Sequence, residues 1–300
     1  MKKPNILIIK HGALGDIIQA DGVLKDIRAH HLNAHITLIT TPAFQTLMQR
    51  CPHIDEVMVD TRAPFWNLKQ LIQLRQQIKQ SHFSVIYDLQ NSNRTKIYRK
   101  FLLPQQHWVH RADTEKKPAS GLKGLVNCLQ KNGIATKNSF VPNVSWMADD
   151  VSVLLNQRQI VLPFIALIPG CSAKHPEKRW PYYAKLATQL IENGYCVVSL
   201  LGPDERDLAG ILPGYVLQSL SWFELAGVLN IAHYVIGNDT GPSHIASCLN
   251  KPGLAIFGPS TSAARSEIGR GVFQTCVVNN LHDLSVHALL EKITLDLAKI

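Results

Sequence analysis

Apolar residues recur along this chain in short blocks of two alternating kinds. Runs such as Asn5-Ile6-Leu7-Ile8-Ile9-Lys10, His35-Ile36-Thr37-Leu38-Ile39-Thr40 and Phe164-Ile165-Ala166-Leu167-Ile168 have the length and near-continuous hydrophobicity of strands buried on both faces. Between them lie segments whose apolar positions return every three or four residues, as at 17, 18, 20, 23, 24 and 27, the spacing of an amphipathic helix. The pattern predicts strands at 5–10, 35–40, 55–59, 84–88 and 107–110, with helices near 16–30, 43–50, 66–80, 94–103 and 121–132. Past the middle it predicts strands at 164–168, 195–201, 215–217, 233–237, 253–257 and 273–278, with helices near 181–193, 221–230, 241–249 and 284–299. Alternation of this kind makes parallel sheets covered by helices on both faces. A chain of 300 residues suits two such domains. The expected class is therefore α/β, two doubly wound domains at 1–155 and 156–300, with the boundary inside 142–163 and the last helix, 284–299, packing back on the N-terminal domain. Residues 111–121 break the pattern with a charged, Pro/Gly-punctuated loop.

Three strand ends carry candidate chemistry, because ligands of parallel sheets bind beyond the carboxyl ends of strands. The run Val235-Ile236-Gly237-Asn238-Asp239-Thr240-Gly241-Pro242-Ser243-His244 passes from strand through a polar turn into a helix, and so aims backbone N–H groups and a helix dipole at one point, as an anion site requires. Asp239 beside that anion site suits a ligand with both phosphates and hydroxyls, such as a nucleotide sugar; alternatively Asp239 or Thr240 caps the helix. The strand 164–168 ends in Pro169-Gly170-Cys171-Ser172, followed by Lys178-Arg179-Trp180-Pro181 and a helix, and Lys178 is a mobile cation suited to a diphosphate. At the N-terminus the turn His11-Gly12-Ala13-Leu14-Gly15-Asp16 has Gly-x-x-Gly spacing, which is not the dinucleotide fingerprint. Asp16 reads either as a partner of the helix dipole or as a base able to take a proton from a hydroxyl nucleophile.

Together these stretches, with Phe257-Gly258-Pro259-Ser260, resemble the heptosyltransferase family of GT-B glycosyltransferases. The resemblance implies GT-B architecture, two Rossmann-like domains facing across a cleft, and transfer of heptose from ADP-heptose to the lipopolysaccharide inner core, with lipid A and its keto-sugar acids as acceptor. It implies that Asp16 deprotonates the acceptor hydroxyl, with Gly15 beside it in the acceptor site, and that Lys178 neutralises the departing ADP. Backbone N–H groups at Thr240 and Gly241 would hold the diphosphate, Asp239 the sugar hydroxyls, and Ser172 a position beside the diphosphate. Leu220 and Ser221 match the adenine edge, and Asp204 or Glu205 the ribose. His244 either reaches the phosphates or is a satisfied half-buried histidine. A single base carboxylate implies inversion at the anomeric carbon. No Asp-x-Asp pair stands out for a metal, and a cation with a helix dipole can replace one, so neither metal nor cofactor is expected.

Charge sharpens the division of labour. The net charge of +9 lies wholly in residues 1–150, which hold 20 Lys and Arg against 11 Asp and Glu; residues 151–300 balance at 11 each. A one-sided field marks an anionic partner. Arg94, Lys96, Arg99 and Lys100 follow the strand end Asp88-Leu89-Gln90-Asn91, and Arg111, Lys116 and Lys117 lie in the loop. Of these, Arg94, Lys96, Arg111, Lys116 and Lys117 are the candidate acceptor contacts. The six cysteines show no disulfide or zinc spacing and read as thiols in a reducing compartment. Residues 1–9 lack the features of a signal peptide, and no apolar run spans a bilayer. The expectation is a cytoplasmic protein, peripheral on the inner membrane's cytoplasmic face. A related transferase with another sugar or acceptor is the main alternative. The one-sided charge argues against an epimerase, and the lack of interleaved stacking aromatics argues against a nucleic-acid binder.

Overall fold

The computed structural model describes residues 3–112 and 120–299 and divides into two compact units, Met1–Pro142 and Asn143–Ile300. The first is built on strands β1 (Asn5–Ile9), β2 (His35–Thr40), β3 (Glu56–Val59), β4 (Phe83–Asp88) and β5 (Trp108–Val109). They form one parallel sheet in the order β3-β2-β1-β4-β5. The second is built on β6 (Phe164–Ile168), β7 (Cys196–Leu201), β8 (Tyr215–Gln218), β9 (Tyr234–Asn238), β10 (Gly253–Phe257) and β11 (Phe273–Val277), also parallel, in the order β11-β10-β9-β6-β7-β8. Ile6 to Ile9 and all of β6, β9 and β10 are buried, which explains why they read as unbroken apolar runs rather than alternating ones. Both units are the doubly wound α/β architecture expected from the alternation.

Strand order locates the chemistry. Each sheet reverses direction of winding once, between β1 and β4 in the first unit and between β6 and β9 in the second. Crevices open beyond the strand ends at such switch points. The N-terminal turn and residues 88–91 leave the first switch point, and Pro169–Ser172 and Asn238–Thr240 leave the second.

The division between units falls thirteen residues before the expected 155/156. The intervening segment belongs to the second unit: Val144 N–H donates to the Cys248 carbonyl at 3.4 Å and Asp149 N–H to the Phe223 carbonyl at 3.2 Å. The final helix, Val286–Leu297, lies in the second unit and packs on its core: Leu289 and Ile293 are buried in the same core as Leu186 and Leu190, and Tyr234 Oη donates to Asp296 at 2.9 Å. The expected helix 16–30 is two, Leu14–Gln19 and Asp21–His30, meeting at Ala20. The helix expected at 94–103 is Asn93–Ile97 continued by a wider π turn, Tyr98–Leu102. Three helices of four to six residues, Ser152–Gln157, Arg206–Ala209 and Ala263–Ser266, escape periodicity because they are too short to repeat it. Lys116 and Lys117 lie outside the described residues.

Candidate functional site

At the second unit's switch point a buried amide ties the motifs together. Asn238, the last residue of β9, is fully buried. Its Nδ2 donates to the carbonyls of Pro169 at 3.1 Å and Gly170 at 3.0 Å, while its Oδ1 accepts from Trp180 N–H at 3.1 Å and Tyr183 Oη at 3.2 Å. One side chain thus sets the β6 turn and the Lys178-Arg179-Trp180 segment against the β9 turn. Trp180 is itself buried and donates from Nε1 to the Leu284 carbonyl at 3.1 Å. Gly237 allows the close approach this needs, since a Cβ there would stand 2.3 Å from Ser243 Oγ and 3.1 Å from Ile168 Cβ.

Asp239, next in the chain, is held by side chains from three elements. Lys178 Nζ donates to Oδ2 at 2.9 Å and Ser266 Oγ to Oδ1 at 2.9 Å, with His244 Nε2 3.7 Å from Oδ1. Ser266 Oγ also lies 3.4 Å from His244 Nε2. Burial by itself raises the Asp239 carboxyl, but His244 and Lys178 outweigh it and hold the group well below the usual carboxylate range. The helix Gly241–Cys248 starts at Thr240 with no side-chain cap bond. The capping alternative for Asp239 and Thr240 therefore fails, and the carboxylate instead neutralises a lysine at a helix N-terminus. His244 is buried.

The other donor-side candidates fall around this cluster or take local tasks. Glu205 folds onto the β6 turn so tightly that a Cβ at Gly170 would lie 1.7 Å from its Oε1, and its Oε2 accepts from Gly202 N–H at 2.7 Å. Burial pushes the Glu205 carboxyl up. Asp204 is exposed. Ser172 is exposed and its Oγ accepts from Lys174 N–H at 3.3 Å. Ser221 caps the helix Trp222–Ile231 in a reciprocal box with Glu224, and Leu220 is half-buried beside it.

In the first unit, a cavity of about 230 Å³ at the switch point is lined by Lys10, Asp16, Gln19, Asn91, Arg111 and Leu122, among others. Asp16 is exposed there, and its Oδ2 accepts from Ala13 N–H at 3.3 Å, so it closes the first turn of its helix while facing the cavity. Gly15 precedes it on the same turn. Lys10 is buried at the cavity floor, 3.5 Å from the Leu89 carbonyl; burial pushes its ammonium down while Asp16 and Asp88 pull it back up. Arg111 is positioned by its own backbone N–H, which donates to Asn91 Oδ1 at 3.0 Å.

Arg94 is placed differently from Arg111. Its Nη2 donates to the Ala63 carbonyl at 2.8 Å, its Nε lies against Tyr98 Oη and 3.6 Å from Asp60 Oδ2, and its guanidinium stacks 4.9 Å from the Phe65 ring centre. It lines a second, smaller cavity with Asp60 and Gln70. Lys96, two residues on, is half-buried and engaged with neighbours. The basic cluster read from sequence is therefore split by the fold: Arg111 joins Asp16, and Arg94 joins Asp60.

Sequence reasoning missed Asp60, Asn238's tethering role and Ser266. Asp60 is buried, accepts from Tyr98 Oη at 2.6 Å and lies 2.9 Å from His11 Nε2. Burial would raise it, but His11, Tyr98 and the Arg62 N–H hold it down at about 2. Its signal was available, an Asp directly after a strand. Ser266 had none, sitting on a four-residue helix. Among the described residues no three His, Cys, Asp or Glu side chains converge as metal ligands.

This chemistry, a lysine–carboxylate pair at one switch point and an open carboxylate at the other, can be set beside known proteins. The family profile described as glycosyltransferase family 9 (heptosyltransferase) matches residues 133–291. Lipopolysaccharide heptosyltransferase 2 of Escherichia coli K12 is 26% identical over 85% of this chain and 83% of its own length. The crystal structure of the glycosyl transferase family 9 protein of Veillonella parvula superposes with a TM-score of 0.81 at 19% identity, covering 99% of this chain and 98% of that one. The E. coli ADP-heptose lipopolysaccharide heptosyltransferase II structure gives 0.76 at 20% identity over 98% and 99%. These likenesses agree with the GT-B fold of two Rossmann-like domains. Since the profile covers more than half of the sequence, including both turns of the second switch point, the chain belongs to glycosyltransferase family 9 and is a glycosyltransferase.

Proposed function

We propose that the enzyme transfers heptose from ADP-heptose to the inner core of lipopolysaccharide, inverting the anomeric carbon, with an Asp base and no metal. The observation that carries this reading is the Lys178–Asp239 contact at 2.9 Å, at the start of the helix Gly241–Cys248. A diphosphate entering there meets an ammonium, a helix dipole and the imidazole of His244, while Asp239 and Glu205 offer acceptors to sugar and ribose hydroxyls. The ammonium and the helix dipole stabilise charge on the leaving ADP as the glycosidic bond breaks, the task a divalent ion performs elsewhere. Asp16 takes the proton of the acceptor hydroxyl as its oxygen bonds to the anomeric carbon from the face opposite ADP. Lys10 and Arg111 beside Asp16 suit an acceptor bearing carboxylates or phosphates. No helix among the described residues is long and apolar enough to cross a membrane. The proposed location is the cytoplasm, against the inner membrane.

The test offers the purified enzyme a lipid A–keto-sugar acceptor with ADP-heptose, UDP-sugars or GDP-sugars, each with and without EDTA. Product mass and anomeric configuration are read by mass spectrometry and NMR. Transfer from ADP-heptose alone, inverted and insensitive to EDTA, is expected. A different preferred donor overturns the donor assignment, retention overturns the single-base route, and loss on chelation restored by magnesium overturns metal independence.

A further inference from the structure

The helix Leu68–Gln80 packs on the first unit's core through Leu71, Leu74 and Ile78. The face flanking this one is unusual. Leu68 and Ile72 are exposed at i and i+4, and Arg75 and Lys79 continue the same stripe at i+7 and i+11, with Lys69 beside it. The loop leading into the helix exposes Phe65 and Trp66, the latter 84% accessible. Arg75 Nε donates to the Leu102 carbonyl at 2.9 Å, which draws in a second segment carrying Phe101, 77% accessible. Three aromatics and two aliphatics thus stand in solvent on neighbouring segments, rimmed by cations.

The charge around them is one-sided. Residues 61–112 contain nine Lys and Arg and a single acidic residue, Asp88, which is buried. Negative charge is absent from the entire outward face of the helix. Contiguous exposed apolar side chains mark an interaction surface. Aromatic and aliphatic side chains projecting from a helix whose charged residues are all basic suit the interface of an anionic bilayer, where rings enter the headgroup layer and Lys and Arg meet lipid phosphates.

We propose that this face, centred on Trp66, Leu68, Ile72 and Phe101 with Lys69 and Lys79, is a docking surface for an anionic phospholipid bilayer. It deepens the membrane-surface part of the reading above by assigning the residues that make the contact, and it involves neither cavity lined by Asp16 nor the Lys178 cluster.

The experiment uses the full chain and vesicles of phosphatidylglycerol with phosphatidylethanolamine, free of any sugar acceptor, against neutral phosphatidylcholine vesicles. Co-sedimentation is expected with the anionic vesicles only, weakening at high salt. Trp66→Ser with Phe101→Ser should lower affinity about tenfold or more, and Lys69→Gln with Lys79→Gln by about 25-fold, at about fivefold per cation. Thermal unfolding checks that the variants fold. As a second readout on conservatively altered protein, bromine-labelled lipid chains should quench tryptophan fluorescence of the wild type and lose most of that quenching in Trp66→Phe. Equal binding by wild type and by both double variants overturns the proposal. So does quenching unchanged in Trp66→Phe. Concentration-dependent dimerisation abolished by Trp66→Ser, without vesicle binding, overturns it in favour of a second copy of the chain. Transfer to a delipidated, water-soluble acceptor is read in parallel. If the surface variants keep that activity but not vesicle binding, the docking proposal stands by itself. If no nucleotide sugar is used at all, the functional reading fails and the docking result is unaffected.

Discussion

Replacing Lys178 with alanine separates the two tasks assigned to its ammonium. The first is structural: it sits 2.9 Å from Asp239 Oδ2, and the two side chains are 19% and 11% exposed. Exposed pairs are worth about 0.2–1 kcal/mol, and breaking a fully buried one costs about 3–5 kcal/mol. This pair lies between, and Ser266 Oγ at 2.9 Å still satisfies Oδ1, so the expected loss at neutral pH is about 1–2 kcal/mol. The sign with pH follows from Asp239. Its carboxyl is held below its unfolded value, so the stability it contributes is present above about pH 4 and is lost as pH falls through the folded pKa. Without Lys178 that folded pKa moves up, and the difference between variant and wild type should narrow as pH drops below about 4. Urea unfolding across that range, in a cycle with Asp239→Asn, measures it. The second task is catalytic: turnover should fall by about 100- to 1,000-fold, the effect of removing one preorganised charge-stabilising group, while adenosine binding stays within about twofold. A stability difference independent of pH, with no coupling in the cycle, would refute the pairing. Adenosine and ADP weakened equally would refute the diphosphate role.

Three further perturbations probe neighbouring parts of the two sites. Asp16→Asn should lower turnover about 100- to 10,000-fold with ADP affinity nearly intact, measured by transfer kinetics and calorimetry; turnover within about threefold of wild type would leave Asp16 as a helix-terminus residue only. Gly170→Ala places a Cβ where the Glu205 carboxylate now lies, 1.7 Å from Oε1, and the flexible acid must swing away from Gly202 N–H. Its donor KM should rise roughly five- to tenfold with a smaller change in kcat, and an unchanged KM would remove Glu205 from the donor site. Asp60→Asn should flatten the acid limb of the stability curve: the native carboxyl titrates at about 2, so it contributes about 2 kcal/mol above pH 4 that disappears between about pH 4 and 2. An acid limb identical to wild type would place that dependence elsewhere.

Strands and long helices were legible because burial on both faces and amphipathic packing leave unmistakable periods. The expected 35–40, 164–168 and 253–257 match the observed strands to the residue. The winding was legible too, since βα alternation admits little else. What escaped depends on contacts distant in sequence. Asn238 is one polar residue at a strand end until three carbonyls and Trp180 close around it, and Ser266 reaches Asp239 across 27 residues. Arg94 and Arg111 looked alike as cations, and only the fold sends one toward Asp60 and the other to the Asp16 cavity. The exposed face of Leu68–Gln80 hid for the opposite reason. Leu68 and Ile72 are as apolar as Leu74 and Ile78, and a sequence does not say which of two apolar stripes meets the core.

The proposal of Asp16 as base rests on what the fold does to four aspartates near strand ends. Asp88 ends β4 buried, its carboxyl pushed up by burial, with Oδ1 accepting the N–H groups of Gln90 and Asn91. It shapes the turn and is closed to substrate. Asp60 has its charge fixed by His11, Tyr98 and the Arg62 N–H, and so a carboxyl at about 2 has little drive to accept a proton. Asp239 is pinned between Lys178 and His244 and is weaker still as a base. Asp16 alone of the four is exposed, on a cavity wall, tethered by a long 3.3 Å bond from Ala13 N–H that orients the carboxylate without burying it. Proton abstraction needs a carboxylate that a hydroxyl can reach and whose charge is not already committed to an ion pair. By that requirement Asp16 is the base we propose, while the aspartate at the second switch point is held between Lys178 and His244.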